Sequence, residues 1–153
     1  MNQVLTAIDF SRHADAVVST AKTLAQALDA ELTVLHVASP EPDFVGYEVG
    51  PQSVRDDRAQ TLELERRELH RIAEELRADG VSARAFLFSG ATVEKILEEA
   101  EARGADWIVV GSHGRTALAS AFVGSVSRGV LRGASCPVVV VPAPDREGST
   151  RGR

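Results

Sequence analysis

One cysteine, Cys136, stands in a chain of 153 residues, so no intrachain disulfide is possible. Lysine is nearly as scarce: only Lys22 and Lys95 are present, and arginine supplies the rest of the 17 basic side chains. A mechanism that needs a reactive or phosphate-binding lysine therefore has two candidates. No apolar run approaches the roughly 20 residues that span a bilayer, which excludes a membrane-spanning helix. Positive charge is in deficit, with 22 acidic residues and a formal net charge of -5. Such a chain has no overall field for polyanions, and nucleic acid is not expected as a principal partner. Met1 to Asp9 lacks the basic segment and apolar stretch of a secretion signal, so a reducing cytoplasm is the expected compartment.

What the chain does have is 44% apolar residues in a length suited to one domain with one core. Val4 to Ile8 reads as a first strand, followed by Asp9-Phe10-Ser11, where the Ser11 hydroxyl is placed to cap a helix. Ala14, Val17, Val18, Ala21, Leu24, Ala25 and Leu28 then share a helical stripe, predicting a helix over about 12–29. Leu32 to Val37 is a nearly continuous apolar strand, the pattern of a sheet covered on both faces. Pro40, Pro42, Gly46, Gly50 and Pro51 make residues 38–52 an exposed loop, of a length common in lids and contact segments.

Ser53 to Asp79 is a long amphipathic helix whose mixed charges read as a solvated face, ended by Gly80. Val81 to Ser89 alternates only in part and suits a strand near the sheet edge. A further helical stripe, Val93, Ile96, Leu97 and Ala100, leads past Gly104 to the strand Trp107 to Val110. Val126, Val130, Leu131 and Ala134 mark a last helix, and Val138 to Val141 a last strand. Residues 143–153 are expected to be a disordered tail. Strands alternating with helices predict an α/β domain with a parallel, doubly wound five-stranded sheet. Ligands of such sheets lie beyond the carboxyl ends of the strands, where strand order reverses.

Directly after the fourth strand come Gly111, Gly114, Gly124 and Ser125, the glycines separated by two and then nine residues. Glycine lets backbone amides approach an anion, and Gly124-Ser125-Val126-Ser127 offers free amides and hydroxyls at a helix start. Two such segments suit a di- or triphosphate. The spacing is neither that of a Walker loop, which also needs a lysine, nor that of the dinucleotide fingerprint. His36 reads as a core side chain. His13 and His70 have no partner at metal-ligand spacing, and Cys136 has no histidine partner for nucleophilic chemistry.

These residues resemble the ATP-binding branch of the universal stress protein family, whose members carry glycine, two residues, glycine, nine residues, glycine, then serine or threonine. Residues 7–11, 34–37, 106–115 and 136–141 extend the resemblance over residues 1–142, taken as one domain. It implies a flavodoxin-like (Rossmann-like) fold with strand order 3-2-1-4-5, and a site made by Ala7, Asp9, Val37, Val110, Gly111, Gly114, Arg115, Gly124, Ser125, Val126 and Ser127. Asp9 would meet the nucleoside end of ATP, Val37 the adenine, and the glycine loop the ribose and phosphates, with magnesium or manganese bridging the phosphates. Arg115 is a charged donor within reach of phosphate. The resemblance also implies a homodimer through Val138 to Val141 and an unidentified regulatory partner. The function expected is a nucleotide-dependent stress switch. The alternatives are a slow ATPase or phosphotransfer enzyme, with no evident base beyond Asp9 and His113, and a dimeric scaffold that binds another adenine nucleotide or none.

Overall fold

The computed structural model describes residues 1–39, 52–112 and 123–143. Five parallel strands form one sheet: β1 (Asn2–Ala7), β2 (Ala30–Ala38), β3 (Ala83–Ser89), β4 (Trp107–Gly111) and β5 (Val138–Val141), in the order β3-β2-β1-β4-β5. The helices among the described residues are α1 (Ala14–Leu28), α2 (Gln52–Ala78), α3 (Thr92–Ala102) and α4 (Ser125–Gly133).

Because side chains alternate along a strand, each central strand feeds two cores. Val4, Leu32, Val34 and Val109 pack with Val17, Ala21 and Ala25 of α1 and with Leu69, Ile72 and Leu76 of α2. Leu5, Leu35, Ile108 and Val110 pack on the other face with Ile96 and Ala100 of α3 and Val130 of α4. The unbroken apolar character of β2 has its cause here: seven consecutive residues, Leu32 to Ala38, are buried because both faces are covered. Among the described residues β3 pairs with β2 alone and stands at the edge, as its weaker alternation predicts.

The first helix begins at Ala14, where its apolar stripe begins and two residues after the expected start near 12. Phe10 adopts φ 58°, the left-handed region, so the chain completes a turn before α1 starts at Ala14. Ser11 accepts the His13 amide on its hydroxyl (3.3 Å) and the Ala14 amide on its carbonyl (3.0 Å). The N-cap residue itself is His13, whose side chain makes no capping bond. Gly80, at φ 81°, takes the left-handed turn after α2. The expected loop over 38–52 lies, between residues 40 and 51, outside the described residues, as does the tail from 144.

Candidate functional site at the carboxyl ends of β1 and β4

β1 and β4 run side by side, Thr6 opposite Val109, which brings the ends of both strands together. The Thr6 hydroxyl donates to the Val109 carbonyl at 3.0 Å, a buried tie between the two. Just beyond β1, Asp9 Oδ1 accepts the Ser11 amide at 3.0 Å and so shapes its own turn. Phe10, in that turn, lies against the His36 ring with centroids 4.6 Å apart. His36 is buried and donates from Nδ1 to the Ile8 carbonyl at 2.7 Å; its Nε2 stands 3.5 Å from Glu65 Oε1 of α2. His36 is thus a partnered core side chain, and it fastens the end of β2 to the segment that carries Asp9. Val37, the penultimate residue of β2, is buried in the core that α3 and α4 cover.

At the end of β4, Ser112 is a knot of main-chain and side-chain bonds. Its amide donates to Val141 of β5 at 2.8 Å, and its hydroxyl accepts the Ala143 amide at 3.2 Å. Its carbonyl accepts from the Gly124 amide and from the Ser127 hydroxyl, the latter at 3.4 Å. The chain therefore leaves at Ser112 and returns at Gly124 to a point one hydrogen bond away. Gly124 is the N-cap of α4, and the first bond of that helix runs from the Arg128 amide to the Gly124 carbonyl at 2.9 Å. The amides of Ser125, Val126 and Ser127 precede that bond, at the positive end of the helix dipole, where an anion is favoured.

Ala7, Asp9, Gly111, Gly124, Ser125, Val126 and Ser127 are accordingly gathered at one end of the sheet. Two of the expected site residues gain detail. Val110 is buried on the α3–α4 face, so only its main chain is available to a ligand. Ser127 is 1% exposed and turns its hydroxyl inward, donating to Gly124 at 3.1 Å as well as to Ser112, which makes it a brace for the start of α4. Gly114 and Arg115 lie outside the described residues, as does His113. One residue at the site was not singled out from the sequence, where it read as a helical histidine without a partner. His13 packs beneath Gly111: a Cβ placed on that glycine would stand 3.1 Å from His13 Nδ1 and 3.2 Å from Val17 Cγ2. Among the described residues, no group of three or more histidine, cysteine, aspartate or glutamate side chains is placed to hold a metal ion.

Parallel strands in the order β3-β2-β1-β4-β5, covered by helices on both faces, define a Rossmann-like domain, and the end of β4 meets the N-terminus of α4 at its switch point. The sequence model of the universal stress protein family matches residues 1–142, and the chain belongs to that family. It is 38% identical over 139 residues to the "Universal stress protein in QAH/OAS sulfhydrylase 3'region" of Thermus aquaticus, covering 90% of this chain and 96% of that one. It is 32% identical to universal stress protein YxiE of Bacillus subtilis, covering 92% and 98%. Among solved structures, protein MJ0577 of Methanocaldococcus jannaschii superposes with a TM-score of 0.81 at 27% identity, covering 95% of this chain and 98% of that one. No described helix is long and apolar enough to cross a membrane.

Proposed function

We propose that this chain is an ATP-binding regulatory protein of the universal stress family, in which nucleotide occupancy at the switch point sets affinity for a partner. The observation that carries the reading is the hydrogen bond from the Gly124 amide to the Ser112 carbonyl, which sets the start of α4 against the end of β4 with the amides of Ser125, Val126 and Ser127 beside it. Gly111 and Gly114 carry no side chain to hold a phosphate away, Gly124 places the start of α4 by giving its own amide to Ser112, and Arg115 adds a charged donor. Asp9 and Val37 stand at the ends of the neighbouring strands for the nucleoside, with main-chain groups of Ala7 and Val110 beside them. Two universal stress proteins of this fold have been solved with adenine nucleotides, one with cAMP and one, from Archaeoglobus fulgidus, with dAMP.

A divalent cation, magnesium or manganese, fits this donor set only as a companion of the phosphates, since the described residues hold no ligand cluster for it. β5 pairs with β4 alone among the described residues, and Val138 to Val140 are half-buried. An apolar edge of this kind supports a homodimer through Val138 to Val141. The cytoplasm is the proposed compartment. Turnover, if the site hydrolyses at all, is slow, because phosphoryl transfer needs charge stabilisation and a positioned base beyond Asp9 and His113.

The test is to denature freshly purified protein, identify any released nucleotide by chromatography and mass, and then follow added ATP with magnesium for several hours. Near-stoichiometric ATP with negligible ADP supports the switch. Sustained ADP production would replace it with an enzyme, and a site that carries no nucleotide and ignores added ATP would leave a dimeric scaffold. Gly114→Val is expected to abolish binding while the domain stays folded.

A further inference from the structure

His13 is 6% exposed, and among the described residues neither of its ring nitrogens has a hydrogen-bond partner. A buried imidazole always presents at least one N–H, and interior donors are almost always paired. The ring is not used as a cap for α1, although it belongs to the N-cap residue. It lies instead in the space that the missing side chain of Gly111 leaves, with Nδ1 and Cε1 at 3.1 and 3.2 Å from where a Cβ would be. The unpaired donor is therefore held against the first glycine of the phosphate-binding motif.

The position also decides what kind of ligand can use it. α1 covers one face of the sheet and α4 the other, so His13 and the first-turn amides of α4 flank the end of β4 from opposite sides. A single phosphate at the α4 N-terminus satisfies the amides there and leaves the ring unpaired. Only an anion extended across the end of β4 would meet both.

We propose that His13 is a nucleotide-binding residue of this chain, donating a ring N–H to the phosphate chain and selecting nucleoside di- and triphosphates over monophosphates. This rests on the adenine-nucleotide reading above and adds to it a residue and a basis for specificity. A hydrogen bond to a charged oxygen at such a site is worth about tenfold or more in affinity.

The experiment is calorimetric titration of the wild-type chain, His13→Ala and His13→Gln with ATP, ADP and AMP, each with magnesium, alongside circular dichroism of every variant. His13→Ala is expected to lose about tenfold or more in ATP and ADP affinity while AMP affinity stays within about twofold. His13→Gln, which keeps an N–H donor, is expected to recover much of the loss. In the wild-type chain the ring 15N resonances of His13 are expected to move on saturation with ATP and to stay in place with AMP. An unchanged ATP-to-AMP preference in a folded His13→Ala chain overturns the proposal and leaves the nucleotide reading standing. A wild-type chain that binds none of the three overturns both. If His13→Ala does not fold, the ring resonances of the wild-type chain decide, and their indifference to ATP overturns the assignment.

Discussion

His36 and Ile8 are 28 residues apart in sequence and joined by a 2.7 Å hydrogen bond, from Nδ1 of the histidine to the carbonyl just past β1. A carbonyl only accepts, so this bond fixes the tautomer: Nδ1 carries the hydrogen. The bond matters for the site because Asp9 is the next residue along. His36→Leu would leave the Ile8 carbonyl buried without its side-chain donor, a cost of about 1–3 kcal/mol. The expected result is a lower urea midpoint together with weaker ATP binding, since the turn that presents Asp9 loses its anchor. Full stability in the Leu variant would show that the Ile8 carbonyl finds another donor.

The middle of α4 packs closely on α3. A Cβ on Gly129 would stand 2.8 Å from Val93 Cγ2 and 3.0 Å from Cγ1, and valine, branched at Cβ, has few rotamers with which to yield. Alanine in mid-helix is normally favoured over glycine by about 1 kcal/mol. Overpacking costs about 1–3 kcal/mol and is expected to win here. Gly129→Ala should therefore destabilise the wild-type chain in urea unfolding. In a Val93→Ala background the same substitution should become neutral or stabilising. A stabilising effect in both backgrounds would mean that α3 shifts freely beneath α4.

The architecture was legible because its signals are long and redundant. The buried run Leu32 to Ala38 needs cover on both faces, and the broken alternation of Val81 to Ser89 suits an edge. The strand order itself came from the resemblance, since periodicity does not say which strands are neighbours. At the site, glycine spacing marked Gly111 and Gly124 because backbone approach depends on residue type alone. Three features escaped that reading, each for a physical reason. The late start of α1 follows from the left-handed Phe10, a conformation that a phenylalanine does not advertise. The inward turn of Ser127 depends on the Gly124 carbonyl one turn back and on the carbonyl of Ser112, which only the return of the chain beside β4 brings near. His13 acquires its place from β4, about a hundred residues downstream, and its spacing along α1 carries no trace of that neighbour.

Cys136 lies at the opposite end of the sheet, half-buried beside a cleft of about 120 Å³ lined by Leu97, Ala100, Ile108 and Ala134 among others. Burial, and then the nearby carboxylate of Asp106, push its thiol above the ordinary range. The thiolate is the reactive form, so Cys136 is expected to be protonated at neutral pH and slow to alkylate. Iodoacetamide labelling followed by mass spectrometry should show much slower modification in the folded chain than in urea. Equal rates would show that neither burial nor Asp106 controls the thiol.

The exposed face of α2 gives the chain a pH dependence of known sign. Glu63 accepts from Arg66 Nε and Nη2 at 3.0 and 2.9 Å and from Arg67 Nε at 3.0 Å. Those hydrogen bonds hold its carboxyl at about 2, against an ordinary value of 4.5. A carboxyl that binds its proton less readily in the folded chain stabilises the fold fully above the unfolded value. That contribution fades as pH falls from about 4.5 through about 2. Water surrounds all three side chains and screens their attraction, so the effect near neutral pH is small. Glu63→Gln is expected to leave the neutral-pH urea midpoint almost unchanged and to flatten the acid limb of the stability curve. Raising the salt concentration should shrink the difference between the two chains at every pH. A large loss at neutral pH that survives high salt would instead mean that Glu63 supports α2 through packing rather than charge.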